Sequence, residues 1–257
     1  MEYKLKKENH DFWVKRLKEN QERQVCTNDV AFDDVEDYEI LKRIEDNKSI
    51  LEIGCGNGIL YSKIAQKLKN FDYLGTDFVE GLVEVCSKKS NSDKHNFIQQ
   101  DMTDITRSSF EKKYDFIISK RAIQNVLEQD LQIQTIENLG NFLKDDGLMI
   151  LVESSASAQK RLNLVRKKYD LHEIIPPFHN LFFDDERLKN HEFKSIKLIE
   201  ISPFASDFYY NTRLIYARYA KEYLKEKTNY DHPLEKIAIS MSENQHTKEF
   251  SQIQTYI

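Results

Sequence analysis

Three glycines at alternating positions, Gly54, Gly56 and Gly58, stand in the segment LEIGCGNG, directly after the apolar run of residues 49–53. Glycines permit a tight turn and close backbone approach, and the free N–H groups at the start of a following helix attract a polar or anionic ligand. A carboxylate about 20 residues further on, at the end of the next strand, is placed to grip a ribose. Asp77 follows Gly58 by 19 residues and ends the run DYLGTD. The turn and the acid together predict a nucleoside ligand. The spacing is G-x-G-x-G, not the dinucleotide pattern G-x-G-x-x-G, and Glu52 precedes it.

Read as E-x-G-x-G-x-G, residues 52–58 resemble the nucleotide turn of the class I S-adenosylmethionine-dependent methyltransferases, and the resemblance extends over roughly residues 48–153. It implies a Rossmann-like α/β fold: a seven-stranded, mainly parallel sheet with an antiparallel last strand and helices on both faces. It also implies S-adenosylmethionine as cofactor. On that resemblance Asp77 holds the ribose, Asp101 and Met102 hold the adenine, and Ser119, Lys120 and Arg121 face the methionine moiety and the substrate. Gly54, Gly56, Asn57 and Phe78 belong to the same implied site, and Trp13 with Phe12 is expected to close over the cofactor, where an aromatic face favours a cation. The chemistry agrees. The cofactor carries a sulfonium, an amino-acid zwitterion and a neutral nucleoside but no phosphate, and an acid at Glu52 repels pyrophosphate while attracting an ammonium.

Methyl transfer is an in-line displacement, so holding the nucleophile about 3 to 3.5 Å from the methyl supplies most of the catalysis. A hydroxyl nucleophile also gains from a general base, whereas an amine needs only to arrive uncharged. The fourth strand ends in SKRA, without the Pro-Pro motif of amino-group nucleic-acid methyltransferases, and Ile175-Pro176-Pro177-Phe178 lies too late in the chain to replace it. Metal-dependent catechol-type members of the resembled family place Asp after the fourth strand and Asp-Asn after the fifth, where this chain has Lys120 and Glu153-Ser154, so no metal is expected. Residues 152–188 resemble methyltransferases associated with bacterial surface-polysaccharide or glycan synthesis. That second resemblance implies His179 as general base with Glu153 beside it, and Asn163, Arg166 and Asn180 as sugar-positioning residues; Lys120, Arg121 and Asn125 complete the expected acceptor side. The expected reaction is O-methylation of a sugar or other small hydroxyl. The alternatives are N-methylation of an amine and a non-catalytic partner subunit of the same fold.

The elements that must position these residues follow from periodicity. Strands are expected at 49–53, 72–77, 95–101, 114–119 and 148–154, separated by helical patterns, which is the signature of a parallel sheet covered on both faces. Two helices are expected before Lys48, the second packing through Val35, Tyr38, Leu41 and Ile44. A basic helix is expected at 156–169, a loop at 173–186, strands at 193–201 and 207–219, and a helix with a polar tail over the last 30 residues. The expected domains are an N-terminal helical lid (1–47), a methyltransferase domain (48–220, with a substrate-side insertion at about 155–190) and a C-terminal helix and tail (221–257). All seven glycines lie between Gly54 and Gly147, and all four prolines lie beyond them, so the cofactor half and the substrate half are punctuated differently. A net charge of -5 argues against nucleic acid as partner, no apolar run is long enough to span a bilayer, and three cysteines without CxxC spacing fit a reducing, cytoplasmic setting. The partner expected is a small-molecule or glycan acceptor.

Overall fold

Short apolar runs between Lys48 and Ser154 form the parallel strands β1 (Lys48–Ile53), β2 (Phe71–Asp77), β3 (His95–Gln99), β4 (Tyr114–Lys120) and β5 (Leu143–Ser154) in the computed structural model, which describes residues 2–20, 22–90, 92–241 and 250–257. With β6 (Ile201–Pro203) and β7 (Ile253–Tyr256) they make a seven-stranded sheet in the order β3-β2-β1-β4-β5-β7-β6, and β7 runs antiparallel to both its neighbours. Alternate residues point to opposite faces. Ile50, Ile118, Ile150 and Val152 pack on one side against α2 (Val30–Leu41), α3 (Ile59–Lys67) and α6 (Ala156–Lys168). Leu51, Ile53, Ile117 and Leu151 pack on the other against α5 (Gln129–Gly140) and α7 (Asp185–Asn190). Each such buried aliphatic side chain stabilises the fold by about 1.5–3 kcal/mol. The chain reverses direction of strand order between β1 and β4, and a crevice at such a switch point is where α/β sheets bind ligands.

Three readings of the sequence are corrected here. Residues 207–219 are helical, part of a helical stretch over 206–224, because Tyr209, Thr212, Tyr216 and Ala220 recur at spacings of three and four and bury one face. Residues 193–198 form no ladder: the Lys194 N–H donates to the Glu137 carboxylate, the Ile199 and Glu200 N–H groups reach the Ile257 carbonyl, and regular strand register begins at Ile201. The segment read as a polar tail carries β7, whose four residues are buried between β5 and β6.

Helix α2 corrects a fourth. Its inward face carries Phe32, Asp33, Glu36, Asp37 and Ile40, while Tyr38, expected inside, is 58% exposed. The buried acids on this helix set up the electrostatics of the site. Helix α1 (Glu2–Glu19) precedes it and lies across the carboxyl ends of the strands, its Leu17 packed against Gly81 of α4 (Glu80–Ser87).

Candidate active site

The glycine turn opens where β1 ends. Gly54, Gly56 and Gly58 have φ of 70°, 55° and 73°, the left-handed region that side chains avoid. A Cβ on Gly54 would lie 2.3 Å from the Cβ of Ala122, so the turn and the loop after β4 approach as closely as backbone allows. The Asp77 carboxylate, at the end of β2, accepts from the Gly56 N–H at 3.0 Å and the Val79 N–H at 3.0 Å, tying the turn to the second strand. Burial lifts the Asp77 pKa to about 6 even though those N–H groups pull it down. Burial likewise lifts Glu52 to about 7, opposed by the Tyr73 hydroxyl that donates to it. Both acids therefore sit near the point of ionisation, where a cationic group can draw them into the charged form. The structure brings Gly54, Gly56, Asn57, Glu52, Asp77, Phe78 and Met102 together along one continuous cleft. Asp101 lines the adjoining groove instead, where it accepts from the Thr103 N–H at 2.9 Å and pairs with Lys6 at 2.6 Å.

The expected lid is α1. Trp13 lines the cleft and donates its indole N–H to Asn125 Oδ1 at 3.1 Å, and the Asn9 amide donates to the Asn125 carbonyl at 2.8 Å. Arg16 ties the same helix to the Val25 carbonyl at 3.0 Å. His179 stacks on Phe12 with ring centroids 4.1 Å apart and meets the edge of Trp13 at 5.5 Å. Burial, with Arg16 nearby, lowers its pKa to about 4, and its Nδ1 has no partner among the described residues. The ring thus docks its loop on the lid and stands one aromatic layer away from the cleft.

Across from the glycine turn lie Lys120 and Arg121. Burial acts to lower the pKa of the Lys120 ammonium, but Asp37 and Asp33 outweigh it and hold the group above its usual value; the ammonium reaches Asp33 at 2.6 Å. Asp33, which burial acts to raise, is brought down to about 2 by Lys120 and Arg121. Arg121, at φ 52°, reaches Glu36 at 3.3 Å, and burial lifts that carboxyl to about 7 despite the guanidinium. The cations expected on the acceptor side are thus paired with acids of the chain's own α2, although both side chains still line the cleft.

Other expected residues are not brought to it. Glu153 is fully buried and accepts from the Ser119 hydroxyl at 2.7 Å and from the Ala122, Ile123 and Gln124 N–H groups at 3.2, 3.0 and 3.2 Å. Burial raises its pKa to about 7, but the carboxyl shapes the loop after β4 and has no route to an acceptor; Ser119, fully buried, serves the same loop. Asn163 exchanges two hydrogen bonds with the Ile174 backbone, and Arg166 donates to the His172 carbonyl at 2.8 Å. Both are loop anchors. Asn180, whose N–H donates to the Pro177 carbonyl at 3.0 Å, belongs to the same loop and does not line the cleft. Cys26, Arg23 and Asp33 do line it, without having drawn notice in the sequence. Asp33 belongs to the acid-rich run after Asp29, which the apolar spacing of α2 obscured, and Cys26 and Arg23 carry no such signal.

The cleft holds ≈ 100 Å³ and adjoins an apolar groove of ≈ 370 Å³ lined by Leu5, Phe78, Met102, Val126 and Leu131. A nucleoside-sized ligand needs a few hundred Å³, so it occupies both or displaces α1. A larger cavity of ≈ 540 Å³, between β5 and residues 193–199, holds none of this chemistry.

A family model described as a methyltransferase domain matches residues 44–202. The malonyl-[acyl-carrier protein] O-methyltransferase of Priestia megaterium is 34% identical over 76 residues, 30% of this chain and 27% of that protein. N-methyltransferase 4 of Papaver somniferum is 31% identical over 113 residues, 43% of this chain and 31% of its own. The chain thus spans less than a third of the length of these two relatives. The solved phosphoethanolamine N-methyltransferase 1 of Haemonchus contortus, in complex with phosphoethanolamine and S-adenosylhomocysteine, superposes with a TM-score of 0.56 at 19% identity, covering 74% of this chain and 41% of that one.

Proposed function

The chain belongs to the methyltransferase domain family, and on that premise we propose that it transfers the methyl group of S-adenosylmethionine to a small polar acceptor that is already nucleophilic at neutral pH. An ionised carboxylate oxygen qualifies as it stands, and an amine nitrogen qualifies in its uncharged form. The observation that carries this reading is the cleft itself. It has a left-handed glycine turn, two carboxyls poised near neutrality for the cofactor's ammonium and ribose, and an aromatic lid, yet neither nominated base lines it. Glu153 is committed to backbone N–H groups and His179 is stacked under Phe12. In this cleft Glu52 and Asp77 bind, Trp13 excludes water, and Arg121 and Lys120 fix the polarity of the acceptor side; alignment supplies the rest of the catalysis. One of the relatives is named as an O-methyltransferase and the other as an N-methyltransferase, so both acceptor atoms stay within reach of the family.

O-methylation of a sugar or other hydroxyl is the second reading, favoured by the buried, unpartnered Nδ1 of His179. It requires Phe12 and Trp13 to swing aside so that the imidazole meets the hydroxyl. Release of S-adenosylhomocysteine, measured against panels of amines, carboxylates and sugars, separates the two. The first reading expects turnover with an amine or carboxylate and a His179→Asn rate within about threefold of wild type. Turnover confined to hydroxyls and lost in that variant, by the 10²–10⁴-fold typical of a missing general base, overturns it.

A further inference from the structure

The loop of residues 172–180 is held rigidly at the mouth of the cleft. Asn163 bonds Ile174 through both N–H and carbonyl, Gln159 donates to the same carbonyl at 2.8 Å, and His179 is stacked on the lid. Pro176 and Pro177 stiffen the stretch between these anchors. From this fixed frame Ile175 and Phe178 project into solvent, 80% and 64% exposed. Large apolar side chains presented together on a pinned loop mark an interaction surface.

The neighbouring helix supplies the charge. Lys160, Arg161, Leu164, Lys167 and Lys168 of α6 are exposed. At about 100° per residue they fall within one sector roughly 120° wide. Asn163, which grips the loop, lies about 40–60° from Lys167 and Lys160 on the same helix, so the apolar tips and the cationic sector adjoin. No described carboxylate pairs with Lys160, Lys167 or Lys168, α6 contains no acid, and the loop has only Glu173. On a chain of net charge -5 this is a basic island.

We propose that this face docks on an anionic bilayer surface, Ile175 and Phe178 entering the headgroup–acyl boundary while the α6 lysines meet lipid phosphates, so that the acceptor is an amphiphile drawn from that surface. Convex apolar tips suit a soft medium that needs no complementary pocket, and insertion by about 5–10 Å is the depth such elements reach. The tips are also connected to the chemistry: Phe178 meets Phe12 edge-on at 5.4 Å, Phe12 meets Trp13 at 5.1 Å, and Trp13 lines the cleft. Docking therefore acts on the lid. The proposal builds on the methyl-transfer reading for what the acceptor is, but its test is separate, because cofactor binding is measured independently.

The full chain is sedimented with large vesicles of phosphatidylcholine alone or with about one third phosphatidylglycerol, a content at which polybasic segments bind. Wild type is expected to bind the anionic vesicles about tenfold more tightly and to shift the emission of Trp13, its single tryptophan, to shorter wavelength. An Ile175→Ser, Phe178→Ser double variant is expected to lose about tenfold in vesicle affinity, and Lys160→Glu with Lys167→Glu at least about fivefold per lysine at low salt. Without vesicles, S-adenosylhomocysteine affinity measured by calorimetry stays within about fivefold of wild type in all of these proteins, the size of a single lost lid contact, which shows that they are folded. Background sedimentation of wild type, as a surface meant for an acidic protein would give, overturns the proposal. So does binding that ignores lipid charge or survives the loop substitutions.

Discussion

The two sides of the cleft are built by different means. On the cofactor side, the glycine turn, Asp77 and Met102 each sit at or just beyond the end of a strand, and sheet register alone brings them together. On the acceptor side, Lys120 and Arg121 also end a strand, but their partners Asp33, Glu36 and Asp37 come from a helix more than eighty residues earlier. The first side is a local device repeated along a sheet. The second is a long-range charge cluster, and its geometry depends on how α1, α2 and the 172–180 loop pack over the sheet. Binding chemistry is therefore concentrated in one half and packing chemistry in the other.

The comparison can be broken most severely at Lys120. Lys120→Met leaves Asp33 to Arg23 and Asp37 to Lys63, and since fully unpairing a buried charge costs about 3–5 kcal/mol, a loss of up to about that size is expected. Denaturant unfolding is expected to show that loss, while the folded fraction keeps its S-adenosylhomocysteine affinity within about threefold. A collapse of cofactor affinity at unchanged stability would merge the two halves.

Glu52 sharpens the cofactor side. Because its native pKa is raised to about 7, the folded chain keeps a proton that the unfolded chain has released above about 4.5. Its contribution is favourable below that pH and is lost as pH rises through 7. Glu52→Gln is expected to be more stable than wild type at pH 8 by up to about 3 kcal/mol, with the difference vanishing near pH 4.5, in melts of the free protein. The same proton makes wild-type cofactor affinity rise with pH between 6 and 8, read as proton release in calorimetry, and the variant flattens that rise.

Asp77→Ala removes the acid that joins the turn to β2 and is expected to weaken S-adenosylhomocysteine binding about 30-fold, roughly 2 kcal/mol. Trp13→Phe removes one lid hydrogen bond to Asn125 and is expected to cost about fivefold in affinity, about 1 kcal/mol, with little change in stability.

This division also explains what could be read from residues alone. The strands and the residues that line the cleft at their ends were legible because short apolar runs and a glycine turn encode them locally. Residues 193–200 and 207–219 were not, since alternation of Ile196 and Leu198 with lysine, or a run rich in Tyr, does not say whether a neighbouring strand is free to pair. β7 was hidden in SQIQTYI, which owes its burial to β5 and β6 on either side. On the acceptor side Glu153 and Asn163 were noticed for their chemistry, but their hydrogen bonds run to backbone that is distant in sequence. Only tertiary structure distinguishes an anchor from a base.

The most direct measurement is titration of the full chain with S-adenosylhomocysteine in a calorimeter at pH 7.5, beside Gly54→Ala, whose new Cβ must collide with Ala122. One-to-one binding at micromolar concentration by wild type, lost by at least about 100-fold in the variant, is expected of a left-handed turn that a ligand must touch. No heat of binding at millimolar ligand, or equal binding by both proteins, would contradict the assignment of this cleft.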